Sequence, residues 1–260
     1  MLARYPLAKT VAVTAGKLAL SYQEQALTIE AKGIQDFVTQ ADQQVEKQIR
    51  QALQTAYPQD GFFGEETASD VQPDQAFWAV DPIDGTSNYM RKVDQWCISI
   101  AYVVDGVIQI AVIYDPVRDL LYHANRGNGA FCNDQRQYLN GDAPIDPTLI
   151  LGHSRRAQLH IYLDVLQHLY QHDVEHRKFG SAALGLAQVI TGQCDGYFEA
   201  DLNPWDCLAG LLLIEEAGGV IISGNDMAKT LKNGPVAAGI ISQGAVLQKL
   251  LEIVAASPVK

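Results

Sequence analysis

Positive charge is what this 260-residue chain has least of: 19 Lys and Arg stand against 30 Asp and Glu, for a formal net charge of −11. A surface of that sign repels phosphate backbones, so no nucleic-acid partner is expected. Cysteine is also scarce. Cys97, Cys132, Cys194 and Cys207 are widely spaced and form no C-x-x-C pair, which points to a reduced, cytoplasmic protein. The six histidines raise no expectation of a zinc site. No apolar run is long enough to span a bilayer, so no membrane partner is expected, and the opening MLARYPLAKT does not read as a signal peptide. Internal repeats, low-complexity tracts and long linkers are missing as well. What remains is 48% hydrophobic and 19% charged. That composition suits a globular protein, in one large domain or two closely packed halves.

The first part reads as helical. Leu7, Val11, Thr14, Ala15 and Leu18 recur at helical spacing, and a second helix is expected from about Thr39. Val45, Ile49, Ala52 or Leu53, and Ala56 form its apolar stripe, and Pro58 stops it. From Phe77 the period changes to that of strands: FWAV, CISIAYVV, VIQIAVIYD and LLYHA. Asp105-Gly106 between two of them marks a hairpin. Gly127-Asn128-Gly129 reads as a turn rather than a phosphate loop. In the second half a strand at 149–152 precedes a helix over 155–170, with Leu159, Leu163, Leu166 and Leu169 on one face. Helices over 181–191, 204–217 and 244–255 alternate with strands at 195–199, 220–223 and 236–241, and Gly218-Gly219 caps one helix. Early hairpins and late crossovers imply an α+β layered architecture. The halves divide at about residue 145: 1–145 carries most of the candidate site, 146–260 the rest.

The stretch AVDPIDGTSNYM over 79–90 concentrates the chemistry. Pro82 fixes its own φ and Gly85 permits a sharp bend, so Asp81, Asp84 and the carbonyl of Ile83 can aim at one point. Like charges held that close repel by several kcal/mol at low dielectric. A hard divalent cation with oxygen ligands would compensate them better than Arg91 or Lys92. The plainer possibility is an Asx-turn with an aspartate capping the next helix. GFFGEET at 61–67 adds Glu65 and Glu66. NPWDCLAG at 203–210 adds Asp206, close to a helix N-terminus behind Pro204 and ahead of the small pair Ala209-Gly210.

GEET, DPIDGTSNY and WDCLAG, in this order and at these separations, resemble the inositol monophosphatase family. The resemblance extends to DFVTQADQQVEKQI at 36–49, GAFCNDQ at 129–135 and GSAALGLAQVITGQCDGYFE at 180–199, and so covers most of the chain. It implies a layered αβαβα sandwich of the sugar-phosphatase type, usually a homodimer. It implies that Glu65, Asp81, Asp84, Asp206 and the Ile83 carbonyl ligate two or three Mg²⁺ ions, that Thr86 and Glu65 orient the attacking water, and that Asp42 stands beside the metals. The backbone N–H groups of Gly85 and Thr86 are expected to face the phosphate. Gly180, Ser181, Ala182 and Glu199 match the region contacting the sugar-alcohol ring, and Lys32 resembles a mobile-loop lysine. Inhibition by Li⁺ and Ca²⁺ follows from the same resemblance and from the octahedral preference of Mg²⁺.

Two positions depart from the family pattern, Tyr89 for Phe and Leu208 for Ala, and neither is an expected ligand. Glu199 can accept hydrogen bonds from ring hydroxyls and would repel a second phosphate, which weighs against bisphosphates and nucleotides. The implied activity is Mg²⁺-dependent hydrolysis of a small phosphate ester, inositol monophosphate or a related polyol phosphate. The alternatives are the same reaction on fructose bisphosphate, a phosphoadenosine nucleotide, histidinol phosphate or NADP, and a regulatory binding protein in which phosphatase activity is incidental.

Overall fold

The computed structural model describes residues 3–24, 29–33, 36–72, 75–139, 141–224 and 226–256, with backbone alone for 29–33 and 36–39; the side chain of Lys32 lies outside what is described. Helix α1 (Arg4–Gln23) and the antiparallel pair β1 (Ile29–Gly33) and β2 (Asp36–Thr39) lead into α2 (Gln40–Ala56). Then come β3 (Gly61–Gly64), β4 (Phe77–Asp84), the short α3 (Thr86–Met90), β5 (Cys97–Val104), β6 (Val107–Asp115), β7 (Leu120–Asn125), β8 (Ala130–Cys132) and β9 (Gln135–Gln137). The remaining elements are β10 (Thr148–Leu151), α4 (Leu159–Gln171), β11 (Glu175–Arg177), α5 (Ala182–Ile190), β12 (Gly196–Leu202), α6 (Pro204–Glu216), β13 (Val220–Ser223), α7 (Met227–Thr230), β14 (Gly234–Gly239) and α8 (Gly244–Ala256).

Seven strands from β3 to β9 pair in sequence order, and five more pair in the order β11-β10-β12-β14-β13. Three apolar clusters hold the layers together. One joins α1 and α2 to the outer face of the larger sheet through Val45, Ile49, Trp78 and Ile100. The second fills the space between the sheets with α5 and α6. The third seats α4 and α8 on the far face of the smaller sheet. The stack is thus αβαβα, as the resemblance implies. The close approach of α5 and α6 depends on Gly210, where a Cβ would fall 2.3 Å from the Cβ of Leu186. Asp105 and Gly106, both at positive φ, make the β5–β6 hairpin turn, as their identity predicts.

Two helices bury a different face from the one their leucines predict. In α1 the buried residues are Ala8, Val11, Ala12, Ala15, Gly16 and Ala19; Leu7 and Leu18 are half-buried and Thr14 is exposed. Small residues win because the helix lies close against the sheet: a Cβ on Gly16 would come 2.6 Å from the Tyr114 ring. In α4 the buried side is Ile161, Val165 and Leu169, while Leu159 and Leu163 are 64% and 53% exposed. In α2 the buried stripe takes in two acids, Asp42 and Glu46, beside Val45, Ile49 and Leu53, while Ala56 is exposed.

Two buried polar contacts fix the first layer. Arg4 donates to both oxygens of Asp60, at 2.8 and 2.9 Å, and its guanidinium lies 3.9 Å from the centre of the Tyr57 ring. Trp78 Nε1 donates to the same carboxylate at 3.1 Å. On α1 and β7, the Tyr5 hydroxyl donates to Nδ1 of His123, whose Nε2–H donates to the carbonyl of Asn133 at 2.9 Å. The Gly127-Asn128-Gly129 turn does bind an anion, from within the chain: Gly127 N–H and Gly129 N–H each donate at 2.7 Å to one oxygen of Glu216, at the end of α6.

Candidate functional site

Strand β4 runs on through the acidic stretch instead of ending before it. Asp81 pairs with Ser99 and Asp84 with Cys97, so three steps on β4 oppose two on β5. The expected turn is therefore a β-bulge, and Pro82, which has no N–H to give the ladder, lies inside it. The Asp81 carboxylate accepts the Ile83 N–H at 2.9 Å, the Asx-type contact that the plainer possibility anticipates. Gly85 follows at φ 93°, where a Cβ would meet the Gln95 carbonyl at 3.0 Å. It starts α3, a single short helix that has no apolar period in the sequence.

Four further elements converge on the bulge. β3 is parallel to β4 with Gly64 opposite Val80, and the Glu65 N–H donates to the Val80 carbonyl at 3.2 Å, which sets Glu65 beside Asp81. In α6 the Asp206 carboxylate accepts from the N–H and side-chain amide of Asn203 at 3.3 and 3.1 Å. From α2, Asp42 Oδ1 lies 3.2 Å from the Thr86 hydroxyl, and the Ile83 carbonyl lies 3.1 Å from the same hydroxyl. From the start of α5, the Ser181 hydroxyl and the N–H groups of Ala182 and Ala183 all donate to Asp84, the backbone pair at 3.2 and 2.8 Å.

Asp81, Asp84 and Asp206 thereby bring ligand oxygens within 4.8 Å of one another. None forms an ion pair with a described residue, and Arg91 turns away to donate to Ser87. Burial and then the charges of Glu65, Asp84 and Asp206 push the Asp81 carboxyl well up. Burial and then Asp84 and Glu199 push Asp206 up to about 8. Burial raises Asp84 too, against the downward pull of its α5 donors. Mutually repelling carboxylates, two buried and one half-buried, with no ion-pair partner among the described residues, fit a divalent metal ion. Glu199 on β12 is pushed up to about 7, by burial first, and accepts the Tyr197 hydroxyl at 2.6 Å.

The cavity in front of these groups has a volume of about 210 Å³. It gathers Glu65, Asp81, Ile83, Asp84, Gly85, Thr86, Gly180, Ser181, Ala182, Glu199 and Asp206, all expected from the sequence. Asp42 reaches the site from behind, through Thr86. Ser181 and Ala182 line the cavity while their donors are engaged by Asp84. Tyr89 is fully buried, donates to the Ala19 carbonyl at 2.7 Å and meets Trp96 edge-on, and Leu208 is fully buried in α6. Sequence reasoning missed Gly152, His153, Lys178, Tyr197 and Asn203, which also line the cavity. Strand-end position was the available signal for the first three. Gly152 is required for space, since a Cβ there would fall 2.1 Å from Oε2 of Glu199.

The layered sandwich places the chain among the sugar-phosphatase folds. The sequence profile described as the inositol monophosphatase family matches residues 3–257, and the chain belongs to that family of phosphate-ester phosphatases. An inositol-1-monophosphatase of Rhizobium meliloti (strain 1021) is 40% identical over 231 residues, covering 86% of this chain and 87% of the relative. A protein of Escherichia coli (strain K12) named Nus factor SuhB is 35% identical, over 90% of each. The crystal structure of the extragenic suppressor protein suhB from Bartonella henselae superposes with a TM-score of 0.86 at 33% identity, covering 97% of this chain and 98% of that one. Among the described residues, no helix is long and apolar enough to cross a membrane.

Proposed function

We propose that this protein is a Mg²⁺-dependent phosphomonoesterase that releases inorganic phosphate from inositol monophosphate or a related small polyol phosphate. The observation that carries the proposal is the convergence of Asp81, Asp84 and Asp206 within 4.8 Å, the first two buried and the third half-buried, with none of them in an ion pair with a described residue. Glu65, Asp81, Asp84, Asp206 and the Ile83 carbonyl would hold two or three Mg²⁺ ions. Bound there, the ions would neutralise the phosphate dianion, lower the pKa of a water and offset charge on the leaving alkoxide.

The chain's own groups supply the rest. The Thr86 hydroxyl, held between Asp42 and the Ile83 carbonyl, orients the attacking water together with Glu65. The N–H groups of Gly85 and Thr86 receive the phosphate at the start of α3. Gly180, Ser181, Ala182 and Glu199 border the space for the alcohol. Glu199 faces ring hydroxyls as an acceptor in its ionised form. A homodimer in the cytoplasm belongs to the same proposal, on the strength of the family resemblance.

The assay is phosphate release from inositol 1-phosphate with and without Mg²⁺. Activity should require the metal, vanish with a chelator and fall at least a thousandfold in Asp81→Asn. An undiminished rate in that variant, or a rate indifferent to metal, would refute the assignment. The SuhB names among relatives favour one second possibility, a regulatory binding role in transcription. A protein partner captured equally by wild type and Asp81→Asn would support it.

A further inference from the structure

The histidines hold one metal-binding spacing, contrary to the expectation drawn from the chain as a whole. HLYQH over 168–172 sets His168 and His172 four residues apart, the first in the last turn of α4 and the second at its C-cap. That spacing is just over one helical turn, so both side chains leave the same face, as in helical zinc sites. The two imidazole centroids lie 4.0 Å apart, with 36° between the ring planes. His168 is half-buried and His172 is exposed, so the pair is open to solvent on one side.

The hydrogen bonding leaves lone pairs available on both rings. Nδ1 of His172 lies 2.8 Å from the His168 carbonyl. A carbonyl only accepts, so Nδ1 carries the hydrogen, and in the neutral ring the lone pair falls on Nε2. Anchoring one ring nitrogen on a backbone carbonyl is how metal-ligating histidines are oriented. Neither ring nitrogen of His168 has a hydrogen-bond partner among the described residues. Burial, then the charges of His172 and Lys249, lower the His168 pKa, so its ring is neutral at physiological pH and offers a lone pair of its own.

The surroundings favour a cation. The last carbonyls of α4 give its C-terminus partial negative charge. Asp164, one turn before His168, lines the same groove between α4 and α8, with His160 and Lys249. Asp173 follows His172 directly. Lys249 opposes a cation, but Glu252 pairs with it at 2.8 Å. The histidines are also remote from the carboxylate cavity. Tyr162, earlier on α4, packs on the cavity residue His153, centroid to centroid 4.5 Å. From Tyr162, His168 and His172 lie about 9 and 15 Å further along the helix axis.

We propose that His168 and His172 form a binding site for a borderline-soft divalent ion of the Zn²⁺, Ni²⁺ and Cu²⁺ class, held by two imidazole nitrogens with water in the remaining positions. Imidazole suits these ions, whereas Mg²⁺ prefers oxygen and does not compete for the pair. The site is separate from the carboxylate cluster and does not rest on the phosphatase reading.

The test is calorimetric titration of the tag-free full chain with Zn²⁺ in excess Mg²⁺, comparing wild type, Asp81→Asn, His168→Gln and His172→Gln. Neither histidine side chain is buried, so both variants should fold. The site should persist in Asp81→Asn. In either histidine variant its Kd should weaken about a hundredfold, because a chelate becomes a single ligand. No Zn²⁺ binding by Asp81→Asn, or binding that survives unweakened in either histidine variant, would overturn the site. Electron paramagnetic resonance of one equivalent of Cu²⁺ reads the donors directly. Coupling to two imidazole nitrogens is expected in Asp81→Asn and is lost when His172→Gln is added, while a signal without imidazole coupling, or one that His172→Gln leaves unchanged, refutes the pair. None of these readouts uses turnover.

Discussion

The Asp84 carboxylate accepts the Ala183 N–H at 2.8 Å, so a residue of the bulged strand is bound to the first turn of a helix ninety-nine positions later. The contact ties the larger sheet to the start of α5 at the point where the candidate metal site is formed. It also makes the start of α5 a support for a ligand rather than a free anion-binding end. The Ser181 hydroxyl completes it.

Removing that hydroxyl should therefore act on the metal before it acts on the substrate. In Ser181→Ala, Asp84 keeps its two backbone donors and the fold persists. The Mg²⁺ concentration for half-maximal activity should rise about tenfold or more, the usual effect of losing a hydrogen bond to a metal ligand. Activity titrated against Mg²⁺ measures this, and an unchanged midpoint would show that the hydroxyl does not support the ligand.

Gly152 makes a second case. An alanine there would put its Cβ 2.1 Å from Glu199 Oε2 and 2.5 Å from the Tyr197 hydroxyl. Glu199 must then leave its place in the cavity. Gly152→Ala should raise KM for a polyol phosphate about tenfold or more while the Mg²⁺ requirement stays near that of wild type, because β10 carries no expected metal ligand. Steady-state kinetics at saturating and limiting Mg²⁺ separate the two effects.

Stability should respond to pH through His123. Burial first, then the charge of Lys9, lower its pKa to about 4 in the folded protein, against about 6.5 for an unperturbed histidine. The unfolded chain therefore binds the extra proton between those values. The contribution is fully present above about 6.5 and is lost progressively as pH falls towards 4. Urea unfolding at pH 5 and pH 7 should show a lower midpoint at pH 5, and in His123→Phe that difference should shrink. Equal differences in the two proteins would assign the pH dependence elsewhere.

The Arg4–Asp60 pair gives the largest expected effect on folding. Asp60 is 5% exposed and accepts from Arg4 and Trp78. Asp60→Ala would strand a largely buried guanidinium and an indole N–H, at a cost of about 3 kcal/mol. Denaturant unfolding measures the loss, and a value within about 0.5 kcal/mol of wild type would show that water replaces the pair. The Arg4→Met, Asp60→Leu double variant should recover part of the loss, since removing both charges together leaves neither unpaired.

Much of this was legible from residue identities. Val45, Ile49 and Leu53 announce α2, Asp105-Gly106 announces its hairpin, and Pro204 announces the start of α6, with Asp206 in its first turn. The acids could be found because two carboxylates around a proline and a glycine are hard to explain by packing alone. Other features left no local trace. The buried face of α4 is set by which side meets the smaller sheet, and its leucines at 159 and 163 point away from it. The bulge in β4 depends on pairing with a strand thirteen or more residues on. Lys178 and His153 stand far apart in sequence and are neighbours only because two parallel strands, separated by a helix, happen to be adjacent.

The seating of Glu216 against Gly127 and Gly129 has a consequence for how the molecule handles dianions. Two converging amide N–H groups are a receptor for inorganic phosphate or sulfate wherever they stand open to solvent. Here a tethered carboxylate occupies them, as an intramolecular partner with which a free anion must compete. Inorganic phosphate, the product of the proposed reaction, would have to displace Glu216 before it could lodge in this turn.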